Sequence, residues 1–267
     1  MHQTHLMYLR VVGASSQAVP PFVRLAGHPL RWRLLAELAL SDLRVRELVT
    51  LVGEPQNLVS YHLRLLRDGG LVTASRSSHD GRDSYYHLDL DTCAQALAGT
   101  GVALHPALRL AGATPAPPVP SRSVLFACTG NSARSPVAEA LLRRHTAGQV
   151  DVTSAGSRPK PRLHPQAVRV LRDDFGIDIS DRQPRHLDTL TGRRFDFVIT
   201  LCDKVREVCP EFVDHPRPLH WSIADPAVPG DDRAGYAAFA RTAAEVNTRV
   251  LHLLPVLATT GSTEVKP

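Results

Sequence analysis

Cys128 and Arg134 stand six residues apart in the string Cys128-Thr129-Gly130-Asn131-Ser132-Ala133-Arg134-Ser135. That pairing suits attack by sulfur on a tetrahedral oxyanion. The thiolate is the nucleophilic form of cysteine, and a helix N-terminus with a guanidinium beside it favours that form. Arg134 offers a planar donor fork that fits two oxygens of an anion. Ser135 is placed to donate a hydrogen bond to the sulfur, and the successive amides of Thr129, Gly130, Asn131, Ser132, Ala133 and Arg134 are expected to converge on the same anion. A cysteine and an arginine at this spacing arise often by chance, whereas the whole string between a strand and a helix is specific.

The elements that must hold this loop are written around it. Val124 to Cys128 is an apolar run that reads as a buried strand, and Pro136 sits where a first helical turn tolerates proline. A second strand is expected over Val150–Gly156, a helix over His164–Phe175 ended by Gly176, a third strand over Phe195–Leu201 and a short fourth over Pro218–Trp221. A long amphipathic helix over Arg233–Leu257 closes the chain. Strands alternating with helices imply a parallel sheet with its ligand at the carboxyl ends of the strands. The expected class over residues 122–260 is α/β, a flavodoxin-like parallel four-stranded sheet with flanking helices. Cys128 and Cys202 both fall at strand ends. Cys202 and Cys209 lie seven residues apart across a potentially helical segment, about 10 Å along a helix, so a disulfide between them requires local unwinding. A zinc site would need two further nearby ligands, and no metal is expected.

The first half reads differently. Residues 1–20 carry no sustained period and are expected to be a mobile lead-in. Helical spacing begins at Phe22, resumes after His28-Pro29 through Trp32, Leu34, Leu35 and Leu38, and continues in a third helix from Leu43 to Val52, ended by Gly53. Turn residues Glu54 to Asn57 precede an amphipathic helix that ends at Gly69-Gly70. Its polar side carries Gln56, Asn57, Ser60, Tyr61, His62 and Arg64, side chains able to bond base edges and phosphates. Two strands flank Asp80-Gly81-Arg82, and Arg76 and Arg82 on that hairpin suit phosphate contact. Helix, turn, helix and hairpin is a winged helix-turn-helix, mainly α with a β-wing, over residues 21–100. Cys93 opens a helix expected to dimerise, and is read there as a packing residue. Four prolines between Pro115 and Pro120 mark residues 101–121 as a linker. A semi-rigid spacer of that kind is expected to transmit little coupling between the halves.

With 267 residues the chain is long enough for two such domains. Its net charge of +5 fits a nucleic-acid or anion partner but is too modest to establish either. No apolar run reaches the length of a bilayer span, so no membrane partner is expected. The first twelve residues lack a basic stretch followed by an apolar core, which makes cytoplasm the default location. Four cysteines are too few for a disulfide scaffold and in a cytosolic protein read as catalytic or metal-binding.

From Ser123 to Leu257 the chain resembles the low-molecular-weight protein tyrosine phosphatases and their relatives, the thiol-coupled arsenate reductases. The resemblance implies that Cys128 attacks the anion, that the loop amides and Arg134 hold its oxygens, and that Asp225 of Asp225-Pro226 is the general acid. Cys128, Cys202 and Cys209, with Pro210 and His220-Trp221, match the three-cysteine relay of the arsenate reductases. That match implies attack of Cys202 on Cys128 with release of arsenite, then a Cys202–Cys209 disulfide. Reducing arsenate takes two electrons, which thiols supply, whereas phosphate ester hydrolysis needs neither Cys202 nor Cys209. The resemblance implies no bound cofactor and an external thiol reductant, either thioredoxin or a low-molecular-weight thiol with its redoxin. Ala227-Val228 stand where the phosphatases carry aromatics, which favours a small inorganic anion. A tyrosine phosphatase is the first alternative, and a catalytically idle oxyanion sensor the second.

Arg24 to Leu90 resembles the ArsR/SmtB repressors, on Leu25-Ala26-Gly27-His28-Pro29-Leu30-Arg31-Trp32-Arg33-Leu34-Leu35 and on Val59 to Val72. This implies operator DNA as a partner and a homodimer through the winged helix. The arsenic-sensing members carry a cysteine pair where this chain has Arg44 and Arg46, so no thiolate trap for arsenite forms there. The inducing signal is then expected at the anion loop, at the redox state of Cys202 and Cys209, or at Cys93 paired across a dimer, and the proline spacer argues against the second.

Overall fold

A computed structural model describes residues 19–79, 81–105, 108, 122–208, 218–227 and 232–259. The winged half runs α1 (Pro21–Ala26), α2 (Pro29–Glu37), β1 (Leu43–Arg44), α3 (Val45–Val52), α4 (Gln56–Asp68), β2 (Val72–Arg76), β3 (Ser84–Leu88) and α5 (Leu90–Leu104). Leu34, Leu48, Val59, Leu63 and Leu66 meet in its core. One correction to the helical reading arises at Leu43 and Arg44, which are strand and not helix. They pair with Tyr86 and Tyr85, making a three-stranded sheet in the order β1-β3-β2. The helix begins only at Val45, because Glu47 accepts the Arg44 amide at 2.8 Å and fixes the start there.

The second half runs β4 (Ser123–Cys128), α6 (Arg134–His145), β5 (Asp151–Gly156), α7 (Pro165–Phe175), β6 (Phe197–Thr200), α8 (Asp203–Val208), β7 (Leu219–His220) and α9 (Asp232–Thr259). Its four strands are parallel in the order β5-β4-β6-β7. β4 is paired on both sides and buried from Val124 to Cys128, as its continuous apolar run requires. Helices α6, α7 and α9 pack together over one face, around Leu141, Leu171 and Val246. The expected third and fourth strands exist but are shorter. Residues 101–104 of the expected 101–121 linker are the end of α5, and the lead-in up to residue 18, Asp80, residues 106–107 and 109–121 of that linker, Cys209-Pro210 and Val228 lie outside the described residues.

The halves share a boundary dense in polar contacts. Asp42 donates its amide to the His220 carbonyl at 2.7 Å and accepts the Ser222 amide at 2.6 Å. Arg249 donates to both Asp42 oxygens, at 2.8 and 3.1 Å. Tyr85 of β3 is fully buried, with its ring 4.6 Å from that of His220. The two halves therefore meet through a direct surface as well as through the spacer. A spacer's composition limits what the spacer transmits and says nothing of surfaces that meet elsewhere.

Candidate functional site

β4 ends at Cys128 and α6 begins at Arg134, so the loop between them lies at the carboxyl edge of the sheet. Its carbonyls are held outward. Those of Cys128, Thr129, Gly130 and Ser132 accept the amides of Ser157, Arg158, Lys160 and His164, at 3.2, 2.8, 2.9 and 2.8 Å. In a planar peptide the N–H points opposite to the carbonyl, so the amides of Thr129, Gly130, Asn131 and Ala133 face the other way, into the cleft. A row of inward N–H groups at a helix start is an oxyanion cradle. Gly156 makes the close approach possible, since a Cβ there would stand 2.7 Å from the Thr129 carbonyl oxygen and 2.9 Å from the Asn131 nitrogen.

Asn131 ties the loop down. It adopts the left-handed conformation at φ 43° and is almost fully buried. Its amide nitrogen donates to Ser135 Oγ at 3.0 Å and to Ser154 Oγ at 2.9 Å, while its oxygen accepts the Arg185 amide at 2.8 Å. Ser135 Oγ in turn lies 2.9 Å from Cys128 Sγ. The nucleophile is thus set by a chain of contacts that ends in β5. Arg134 is buried with its fork directed by the Ile223 carbonyl at 3.0 Å and by Asp225 at 2.8 Å. Asp225 is about half exposed and reaches the cleft from the segment after β7.

Cys202 also belongs here. It is buried, and its Sγ lies 3.3 Å from Thr129 Oγ1. Burial pushes the Cys202 thiol up, against the charge of Arg134 and the Thr129 contact, which pull it down. The next residue, Asp203, is held by His220, by Ser222 and by the amide of Ser78. Burial pushes the Asp203 carboxyl up, but those hydrogen bonds outweigh it and hold the group well below the usual carboxylate range.

Sequence reading misses two features of this cleft, which measures about 860 Å³. Arg158, Lys160 and Arg162 line it beside Cys128, in a run readable as basic but without a sign that it folds over the loop. Ser78, from the wing of the other half, lines it too. The cleft is cationic as a whole, which suits an oxyanion.

Residues 123–263 match the family model described as low molecular weight phosphotyrosine protein phosphatase. The chain belongs to that family. A second model, bacterial regulatory protein of the arsR family, matches residues 28–74, so an arsR-type segment is fused ahead of the phosphatase-type domain. An arsenate reductase from Halalkalibacterium halodurans is 34% identical over 128 residues, which is 48% of this chain and 91% of that protein. One from Bacillus licheniformis is 35% identical over 130 residues, 48% of this chain and 92% of that protein. A solved structure described as an arsenate reductase in the phosphate-binding state shares 30% identity, covers 51% of this chain and 98% of its own, and has a TM-score of 0.45.

In this low-molecular-weight phosphatase relative, the arsR-type side chains form a separate surface. Gln56, Asn57, Tyr61 and Arg64 are exposed on α4 and Ser60 is half-buried. Arg76 and Arg82 are exposed on the wing. His62 is the exception. It is 5% exposed and packs against the tilted ring of His28 with centroids 4.4 Å apart, so it faces the core and not a duplex. Val59, His62, Leu63 and Leu66 are the buried positions of α4, a helical stripe that carries position 62 inward whatever its polarity. Cys93 donates to the Leu71 carbonyl across 3.8 Å, and burial pushes its thiol up to about 11, as fits packing. Among the described residues no group of acidic, cysteine or histidine side chains is arranged to hold a metal, and no helix is long and apolar enough to cross a membrane.

Proposed function

We propose that this chain is a thiol-dependent arsenate reductase fused to a DNA-binding regulator. The observation that carries the reading is a second thiol at the anion loop, Cys202 beside Thr129. Hydrolysis of a phosphate ester has no use for it. In the proposed cycle Cys128 attacks arsenate in the cradle of loop amides and Arg134, and Asp225 protonates the leaving oxygen. Cys202 then attacks Cys128 sulfur, the electron pair passes to arsenic, and arsenite leaves. Cys209 resolves the product as a Cys202–Cys209 disulfide. The balance is arsenic acid plus two thiols giving arsenous acid, one disulfide and one water. An external dithiol, thioredoxin or a low-molecular-weight thiol with its redoxin, restores the enzyme. The relatives named arsenate reductase support this choice of substrate.

Gln56, Asn57, Ser60, Tyr61 and Arg64 are proposed to meet the major groove and Arg76 and Arg82 the backbone, from a homodimer in cytoplasm. Leu97, Val102 and Leu104 of α5 are exposed, as a dimer face would leave them in a single protomer.

Arsenite release with a thiol donor tests the reading. It should vanish in Cys128→Ser and stop after one turnover in Cys209→Ser. Full steady-state activity in Cys209→Ser sinks the relay, and phosphotyrosine turnover that survives Cys202→Ser moves the chain to the phosphatases.

A further inference from the structure

Most of the charged surface of α8 is engaged by the winged half. Glu207 accepts Ser77 Oγ at 3.0 Å and the Tyr85 hydroxyl at 3.1 Å, and Arg44 stands 3.8 Å from the same oxygen. Asp203 accepts the Ser78 amide at 2.6 Å, and Arg206 donates to Glu47 at 3.0 Å. Ser77 and Tyr85 are buried by this contact. Asp203 and Glu207 are four apart, hence on one face of the helix, and the wing bridges both. The geometry therefore depends on α8 being helical.

That condition conflicts with the proposed chemistry. Positions seven apart along a helix are about 10 Å apart, whereas a disulfide needs Cα atoms within about 7 Å. Joining Cys202 to Cys209 unwinds α8, and Asp203 and Glu207 then lose their common face. We propose that the wing is latched to the reductase by α8, and that the Cys202–Cys209 disulfide releases Ser77, Ser78 and Tyr85 from that latch. The inference rests on the relay reading for its disulfide. The two thiols give up two electrons and two protons, to arsenate in turnover or to diamide in a test. The redox state thus reaches the DNA-binding half across a direct contact, without passing through the proline spacer.

Hydrogen exchange of the full-length protein reads the latch. Dithiothreitol-reduced protein is compared with diamide-treated protein, with the disulfide located by peptide mapping. Exchange of the Ser78 amide, which Asp203 accepts, should rise about tenfold or more on oxidation and return on re-reduction, while the β2–β3 ladder keeps its own protection. Cys209→Ser, which keeps Cys128 and Cys202, should stay protected in diamide. Glu207→Gln with Ser77→Ala should exchange fast in both states. Unchanged wing exchange with the Cys202–Cys209 bond formed overturns the latch, and so does failure of that bond to form in diamide. A chain that frees its wing in diamide yet leaves arsenate unreduced keeps the latch and loses the assigned substrate. Arsenate reduction with a protected wing does the reverse.

Discussion

Asn131→Ala isolates what holds the anion loop. The wild-type side chain makes three hydrogen bonds from a position that is 2% exposed. Each such bond contributes about 0.5–1.5 kcal/mol net, so their loss costs roughly 3 kcal/mol. The left-handed backbone at φ 43° adds about 1 kcal/mol for alanine, which asparagine tolerates and glycine escapes. Asn131→Ala should therefore cost about 4 kcal/mol and Asn131→Gly about 3 kcal/mol, or about 10 °C in Tm for a chain of this length. Urea unfolding of the three proteins measures the difference. Both variants should also lose turnover, because Ser135 is no longer aligned on Cys128 and the amides no longer converge. A cost below about 1 kcal/mol for alanine, or a glycine variant less stable than the alanine one, refutes the account of the loop.

Three further outcomes follow from the same geometry. Arg134→Lys keeps the charge but loses the planar fork, and should lower kcat/KM by about 100-fold in steady-state assays with the fold intact by circular dichroism. Because burial pushes the Cys202 thiol up, its attacking thiolate is scarce at neutral pH; arsenite release in a single turnover should keep rising past pH ~8.5, the ordinary thiol value, and a plateau below pH 8 would contradict this. Asp42→Ala leaves Arg249, whose side chain is 14% exposed, with Glu245 at 3.4 Å as its remaining carboxylate and strips the Ser222 amide of its acceptor; the loss should be about 2 kcal/mol in denaturant unfolding, with Asp42→Asn milder.

The anion loop is legible in the sequence because its chemistry is local. Cys128, Arg134 and Ser135 belong to one strand-loop-helix unit, and the apolar run before it and the proline after it fix that unit without help from the rest of the chain. The order of strands and helices is legible for the same reason. His62 is not, because polarity suggests an outward face while the spacing from Val59 to Leu66 turns it inward. The short strand at Leu43–Arg44 is hidden by the helical period that follows it. The latch is beyond sequence reading altogether. Its partners stand 122 to 130 residues apart, and nothing in the pattern of either half marks Ser77 or Glu207 as a contact.

A regulator and an enzyme on one chain gain from each other only if each has two states whose free energies depend on the other. The face between the wing and α8 offers such a dependence, since the carboxylates that hold the wing, Asp203 and Glu207, lie one and five residues after Cys202. Couplings of this kind are typically about 1–3 kcal/mol, or roughly 5- to 150-fold in an equilibrium. Linkage makes the effect reciprocal. If the disulfide favours the freed wing by some factor, a duplex that prefers the freed wing must favour the disulfide by that same factor, and one that prefers the latched wing must oppose it equally. Ser78 lies at the edge of the anion cleft as well as on Asp203, so the substrate pocket and the wing meet at one residue. The redox potential of Cys202 and Cys209 should then shift when the protein is bound to DNA, by about 30 mV for each tenfold of coupling, and the sign of that shift tells which state of the wing the duplex selects.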